Sequence, residues 1–376
     1  MNKKIEFNKP FTSKKDNKYI NAVLKNKKFA DGYFQKKCEK IIKNKINSKF
    51  VALTQNCTSA LEISMILINL RKGDEVIMPS YTFTSTANAV LLRGAKPVFA
   101  DVNLYDANLN YQSVKKKINK KTKAIIVVHY AGNSCDMSRF LELKKKHKLF
   151  LIEDCAHSFM GKYKNSNLGT IGDFGAFSFH ETKNLVGGQC GAISINNYNF
   201  VKRAKIILDK GTDRAFIGNK KRYYSWKDIG SEFRSAELPA ALLYSQLIKF
   251  NDINKKRENI YKIYKKNIDL IKNKKFGVIK NDPKNKSAYH VFALLFRNIK
   301  IREKFIYHMK KKNIFCFFHY YPLHISSFGK KFSRTSMKNT NKIYNGLVRL
   351  PIYPSLKKTE IIRVIEEVEK FNLIKI

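Results

Sequence analysis

The feature that most limits what this chain can fold into is an alternation in its first half. Short apolar runs at residues 50–54, 75–78, 96–102, 124–129 and 149–154 are separated by segments of helical periodicity at 34–46, 57–70, 84–92 and 137–147. A further helical pattern precedes them at 19–24. Strands that alternate with helices of ten or so residues build a parallel sheet, because parallel neighbours need a crossover between them. The run Ala124-Ile125-Ile126-Val127-Val128-His129 is apolar on both sides of the chain until its last residue. That is the pattern of a strand covered by helices on both faces.

Beyond residue 170 the pattern changes. Residues 175–179 and 192–195 read as short strands flanking a polar loop with three glycines, Gly187, Gly188 and Gly191. Residues 204–210 read as helix. Residues 211–229 are irregular, charged and aromatic, and suit a loop that reaches a neighbouring subunit. Helical patterns then run from 235 to 272, followed by a strand at 291–296, a helix at 301–312, a strand at 315–318 and a final helix at 358–371. A chain of 376 residues exceeds one compact core. We therefore expect an α/β domain over residues 1–250 and a smaller α+β domain over 251–376.

Open parallel sheets bind ligands beyond the carboxyl ends of their strands, and four segments fall there or in adjoining loops. Asn56-Cys57-Thr58-Ser59-Ala60 offers free N–H groups and two hydroxyls, which serve equally as a phosphate cradle or as an ordinary helix cap. Glu153-Asp154-Cys155-Ala156-His157 puts two acids at the end of an apolar strand, either solvated or held for a purpose. Ser178-Phe179-His180-Glu181-Thr182-Lys183-Asn184 places a lysine after a strand end and before the glycines. Desolvated lysine forms imines with carbonyl cofactors. His319-Tyr320-Tyr321-Pro322-Leu323-His324 is a proline-bearing aromatic loop that suits either packing or a sugar or base ligand. No second histidine stands at metal-ligand spacing from His180, and no metal site is expected.

The net charge of +45 raises the possibility of nucleic acid. Lysine dominates arginine and is spread along the whole chain, as a compositional bias would leave it. A nucleic-acid binder concentrates charge and favours arginine. Nucleic acid is therefore not an expected partner, although an anionic small substrate gains from the field. No apolar run reaches the length of a membrane span, and the basic N-terminus lacks the apolar stretch of a signal peptide. The six cysteines, Cys38, Cys57, Cys135, Cys155, Cys190 and Cys316, show no C-x-x-C pairing, so a reduced, cytoplasmic setting is expected.

Taken in order, the Thr58-Ser59 turn, Pro79-Ser80-Tyr81-Thr82-Phe83, Glu153-Asp154-x-x-His157, Ser178-Phe179-x-x-x-Lys183 and Pro322-Leu323-His324 resemble the DegT/DnrJ/EryC1/StrS family of sugar aminotransferases. The resemblance spans almost the whole chain. It implies the fold of aspartate aminotransferase (fold type I of the pyridoxal-phosphate enzymes), pyridoxal 5'-phosphate as cofactor and a homodimer with active sites at the interface. It implies that Lys183 holds the cofactor as a Schiff base and moves the proton, and that Asp154 pairs with the ring nitrogen. His157 would lie near the ring's phenolic oxygen and Phe83 would stack on the ring. Thr58, Ser59 and Ser178 would hold the phosphate. His319, Tyr320 and His324 are candidates for the nucleotide-sugar side. The runs at 73–83, 92–96, 128–132 and 178–184 are similar to the subgroup that moves an amino group from L-glutamate to a dTDP-linked 4-keto-6-deoxy sugar.

Two departures stand out. Relatives carry Gly-Glu-Gly-Gly where this chain has Gly188-Gln189-Cys190-Gly191, and a cysteine resists positive φ. Glu232 replaces an asparagine common in the family, and its charge opposes phosphate binding by that loop. Amination at C3, a UDP or GDP sugar, or a non-catalytic family member are the alternatives. Dehydratase relatives carry histidine in place of the lysine, which Lys183 argues against.

Overall fold

The computed structural model of the protein describes residues 3–30, 32–217, 223–333 and 335–374. Seven strands form the central sheet: β1 (Phe50–Thr54), β2 (Glu75–Pro79), β3 (Lys96–Ala100), β4 (Thr122–Val128), β5 (Phe150–Cys155), β8 (Phe174–Ser178) and β9 (Gly191–Ile195). Between β5 and β8 the chain makes a two-stranded hairpin, β6 (Lys162–Tyr163) and β7 (Ser166–Asn167). The sheet order is β1-β9-β8-β5-β4-β2-β3. All pairings are parallel except the two made by β9, which therefore runs against the other six.

Side-chain alternation explains the apolar run in β4. Ala124 and Ile126 join a core with the helices Cys57–Leu67, Thr84–Leu91 and Val201–Leu208, while Ile125 and Val127 join one with the helix Met137–His147. Nearer β1, the second face is covered by the helices Tyr33–Ile46 and Glu237–Leu247. Each isoleucine buried in this way contributes about 1.5–3 kcal/mol, which is why both faces must be covered.

A second sheet, β10 (Phe276–Val278), β11 (Phe292–Phe296) and β12 (Leu347–Leu350), is antiparallel in that order. The helices Phe250–Leu270, Ile299–Lys311 and Lys358–Leu373 close its core. The expected division at residue 250 falls at the start of the helix Phe250–Leu270. Ile5, however, packs in this C-terminal core and pairs with Ile314, so the chain's first residues lie with the second unit. A separate cluster joins the two units, with Tyr81 and Tyr130 from one side and Val291, Ala293 and Leu347 from the other.

The expected strand at 315–318 is not formed. Phe315 N–H donates to Ile5 C=O, and Phe317 makes a single bridge to Arg349. The segment crosses the sheet edge instead of extending it. Within the irregular stretch 211–229, residues 218–222 lie outside the described residues. Thr212 and Trp226 bridge its two ends around the single turn Arg214–Ile217.

Candidate active site

Six strands point their carboxyl ends at one edge of the central sheet, and β9 begins there. A cavity of about 560 Å³ opens at that edge. Thr58 reaches it from beyond β1, Phe83 from beyond β2, Asp154 and His157 from β5, Ser178 and Lys183 from β8, and His319 and Tyr320 from the second unit. Six of the seven proposed cofactor residues and the first two proposed substrate residues therefore line one space.

At one end of the cavity, two helices begin. Asn56 caps the helix Cys57–Leu67 by accepting the Ser59 N–H at 2.9 Å. Thr58 Oγ1 donates to Ser85 Oγ at 2.7 Å, and Ser85 lies in the first turn of the helix Thr84–Leu91. Two helix N-termini and the Thr58 and Ser85 hydroxyls make an anion cradle. Ser59 is not part of it: its N–H and hydroxyl both face Asn56 Oδ1, and the buried side chain serves the cap. Ser85 was not legible, because its helix supplies a second N-terminus only after folding.

The other end holds a buried carboxylate. Asp154 Oδ2 accepts from Thr86 Oγ1 at 2.9 Å, and Oδ1 accepts the Ala156 N–H at 3.1 Å. Burial pushes its pKa up, and these two hydrogen bonds and the Lys183 amine work against that rise. Its neighbour Glu153 has a different task. It accepts from the N–H groups of Gly169, Ile171 and Gly172 and from His129 Nε2, and so fastens the loop before β8. His129 Nδ1 accepts the Cys135 N–H, which places the ring proton on Nε2.

Lys183 is half-buried between these ends. Desolvation lowers its pKa to about 8, with Asp154 pulling the other way and Arg349 adding to the depression. A lysine so poised is partly a free amine near neutral pH, as imine formation requires. The glycine run behind it is tight: a Cβ on Gly191 would lie 2.3 Å from the Asn56 carbonyl carbon. The departure at Cys190 is harmless to the backbone. Positive φ in this run falls on Gly188, and Cys190 is buried with its thiol near Ser235 Oγ.

His157 is buried and held as a neutral imidazole, since burial pushes its pKa well below 6.5. Its Nε2 lies 3.1 Å from the Tyr320 hydroxyl, and its ring packs between His290 and His319 with centroids 4.4 and 5.7 Å away. His290 in turn bonds Asn184 Oδ1 at 2.8 Å, next to Lys183 in sequence. His324 is placed apart from the cavity. Its Nδ1 and backbone N–H both meet Ser80 Oγ, which pins the loop carrying Tyr320 to the end of β2. Glu232 is exposed and paired with Lys210 at 2.5 Å, and it does not line the cavity.

The donor set fits pyridoxal phosphate. The cradle suits its phosphate, Asp154 a protonated ring nitrogen, Phe83 a flat ring and Lys183 the aldehyde. His157 Nδ1 is buried without a partner among the described residues, so it remains available.

The chain matches the DegT/DnrJ/EryC1/StrS aminotransferase family over residues 10–369. It is 30% identical over 327 residues, 86% of each chain, to the dTDP-3-amino-3,6-dideoxy-alpha-D-galactopyranose transaminase of Aneurinibacillus thermoaerophilus. It is 29% identical to the GDP-perosamine synthase of Escherichia coli O157:H7, over 98% of this chain and 99% of that one. Among solved structures, an aminotransferase of pseudoaminic acid biosynthesis from Helicobacter pylori superposes with a TM-score of 0.91 at 26% identity, covering 98% and 99% of the two chains. The chain belongs to this family of pyridoxal-phosphate-dependent sugar aminotransferases.

Proposed function

From membership in that family, we propose that the chain transfers an amino group from L-glutamate to the C4 carbonyl of a nucleotide-linked 4-keto-6-deoxy sugar, with dTDP as the nucleotide. The observation that carries the catalytic part is the convergence of Lys183, Asp154 and the Thr58–Ser85 cradle on one cavity. Three of the four runs that favour a C4 transaminase, 73–83, 128–132 and 178–184, contribute to that cavity's wall, through Thr82 and Phe83, Val128, and Ser178, His180, Thr182 and Lys183. A second reading, amination at C3 or on a GDP sugar, is favoured by the near-equal identities to a dTDP-3-amino sugar transaminase and a GDP-perosamine synthase.

When bound, pyridoxal phosphate supplies an electrophilic carbonyl carbon and a ring that accepts an electron pair. The residues do the rest. Thr58, Ser85 and the two helix N-termini would hold the phosphate. Asp154 would pair with the protonated ring nitrogen, and Thr86 with the Ala156 N–H fixes its direction. Lys183 Nζ, as a free amine, would take the proton from the substrate carbon and return it on the other side of the transfer. The neutral His157 and Tyr320 present a hydrogen-bonded pair at the cavity wall where the sugar enters. We propose further that the enzyme works as a homodimer, with residues 211–229 meeting the second copy.

The test is the visible spectrum of the cofactor-loaded protein with L-glutamate and then with a panel of keto-sugars. The expected outcome is a band that bleaches with glutamate and returns with the 4-keto dTDP sugar. In Lys183→Ala the band is absent or unresponsive. A wild-type protein that takes up no cofactor would sink the enzyme reading, and a band restored only by a 3-keto or GDP sugar would shift the substrate.

A further inference from the structure

The segment 286–291 precedes β11 in the second unit and lies against the turn that follows β4. Ala288 N–H donates to Gly132 C=O at 2.9 Å, and Val291 N–H to Ala131 C=O at 3.3 Å. The seat is tight: a Cβ on Gly132, whose φ is 89°, would lie 3.1 Å from Ala288 Cβ and 3.0 Å from the His157 carbonyl oxygen. Within the segment, Tyr289 takes a φ of 52°. Bulky aromatic residues rarely adopt that left-handed conformation, and it persists only where the surroundings impose it.

The neighbours of Tyr289 impose it here. Its N–H donates to Ser287 Oγ at 3.0 Å and its hydroxyl to Glu258 Oε1 at 3.1 Å. The buried Arg257, from the helix Phe250–Leu270, gives Nε to Tyr289 C=O at 3.1 Å and Nη2 to His290 C=O at 2.8 Å. Another backbone path would leave those guanidinium donors buried and unmet, which is costly. The two neighbouring rings therefore part. Tyr289 packs on Tyr261 of that helix with centroids 5.4 Å apart, and His290 turns towards Lys183.

His290 meets two residues of the first unit there. Asn184 Nδ2 donates to Ala288 C=O at 2.6 Å, which turns Asn184 Oδ1 towards His290 Nδ1 at 2.8 Å. Burial pushes the His290 pKa well below 6.5, so the ring is neutral and its one proton sits on Nδ1 as the donor. The ring face packs against His157 with centroids 4.4 Å apart. His290 does not line the 560 Å³ cavity; it lines a smaller one of about 290 Å³ on the other side of Lys183. Lys183 itself stands in the irregular loop between β8 and β9. Its long, flexible stem reaches a fixed point only if the backbone beneath it is held, and the next residue, Asn184, carries two short hydrogen bonds to the second unit.

We propose that His290 is a positioning residue for the transfer: reaching from the second unit, it fixes Lys183 through Asn184 and seats His157 by ring packing. This rests on the aminotransferase reading above and adds a device by which one unit sets the geometry of the other's reacting groups. The left-handed turn at Tyr289, locked by Arg257, aims the ring.

The test is the rate at which cofactor-free protein captures pyridoxal phosphate, followed by stopped-flow absorbance. His290→Phe keeps a flat ring and loses the donor. His290→Asn keeps a donor where Nδ1 stands and loses most of the ring. His290→Phe slows capture about fivefold or more, the effect of one net hydrogen bond, and His290→Asn restores most of the rate. His290→Asn instead moves the visible band of the loaded protein, because His157 has lost its packing. In both variants the saturating rate of bleaching by L-glutamate falls while the half-saturating concentration holds. Wild-type capture by His290→Phe would overturn the proposal. So would equal losses of capture in both variants alongside a common drop in thermal midpoint, which would make His290 a packing residue only. A change confined to the half-saturating glutamate concentration would place His290 on the substrate and overturn it too. Asn184→Ala guards against a His290 variant that does not fold: it slows capture by about the same factor, and wild-type capture by it overturns the proposal. Capture needs no amino acid, so positioning is read separately from the reaction. A wild type that captures the cofactor but is bleached by no amino acid refutes the transaminase reading and not this one.

Discussion

Lys183 is held where burial opposes its charge, and its pKa of about 8 has a kinetic consequence. In cofactor-free protein, the rate of pyridoxal phosphate capture should rise with pH through about 8 and then level, whereas an ordinary lysine would carry the rise on towards 10.5. A pH series of capture rates checks this. The stability effect has a definite sign. Between about 8 and 10.5 the unfolded chain holds a proton that the folded chain has lost, so this group's contribution to stability grows as pH rises through that window. Asp154 carries the complementary prediction. Asp154→Asn keeps the shape and the Thr86 contact but removes the charge, and the glutamate half-reaction should slow by about 10²–10³ while cofactor still binds. Stopped-flow bleaching measures it, and a slowing of less than tenfold would remove Asp154 from the role assigned to it. The sequence placed both residues at or just beyond strand ends, the resemblance gave them their expected roles, and the structure brings both to one cavity. Ser85 and Thr86 were not legible: each is an ordinary helix residue until the fold brings it to the cavity.

At the scale of elements, the strands and helices of the first half were readable because each had to satisfy two constraints at once, period and coverage. The small strands β10 and β12 were not read, since three or four residues carry too little pattern. The aromatic run at 315–318 was read as a strand for the same reason, although its backbone goes to Ile5 and Arg349 one residue at a time. The helix Tyr33–Ile46 shows another limit. Its N-cap is Gly32, which has no side chain to offer, and the missing cap comes from Glu237. That buried carboxylate accepts the N–H groups of Phe34 and Gln35 at 2.9 and 2.8 Å from about two hundred residues away. Glu237→Ala strands two buried donors, each worth about 1–3 kcal/mol, and should lower the thermal midpoint with the cofactor spectrum of the folded protein retained. A midpoint unchanged from wild type would mean that water replaces the cap.

The whole molecule carries +45 charges, and two copies of it must approach each other for the proposed dimer to form. Long-range repulsion between them is screened by salt, so association should tighten as ionic strength rises. The aromatic residues of the 211–229 segment are the means of watching it. Trp226 is the chain's only tryptophan, and it is 82% exposed in the single chain; Tyr223, three residues before it, is 80% exposed. Its indole N–H is bonded to Asp228 C=O and the segment's ends are bridged, so the ring is displayed on a fixed turn. A large aromatic surface held in this way is favourable only when something covers it. If residues 211–229 meet a second copy, tryptophan emission is blue-shifted in concentrated solution, moves to the red on dilution, and does so at lower protein concentration when salt is added. Sedimentation run in parallel fixes the oligomeric state at each point. A dimer whose tryptophan emission matches that of the monomer would place the interface elsewhere and separate the segment from the active site.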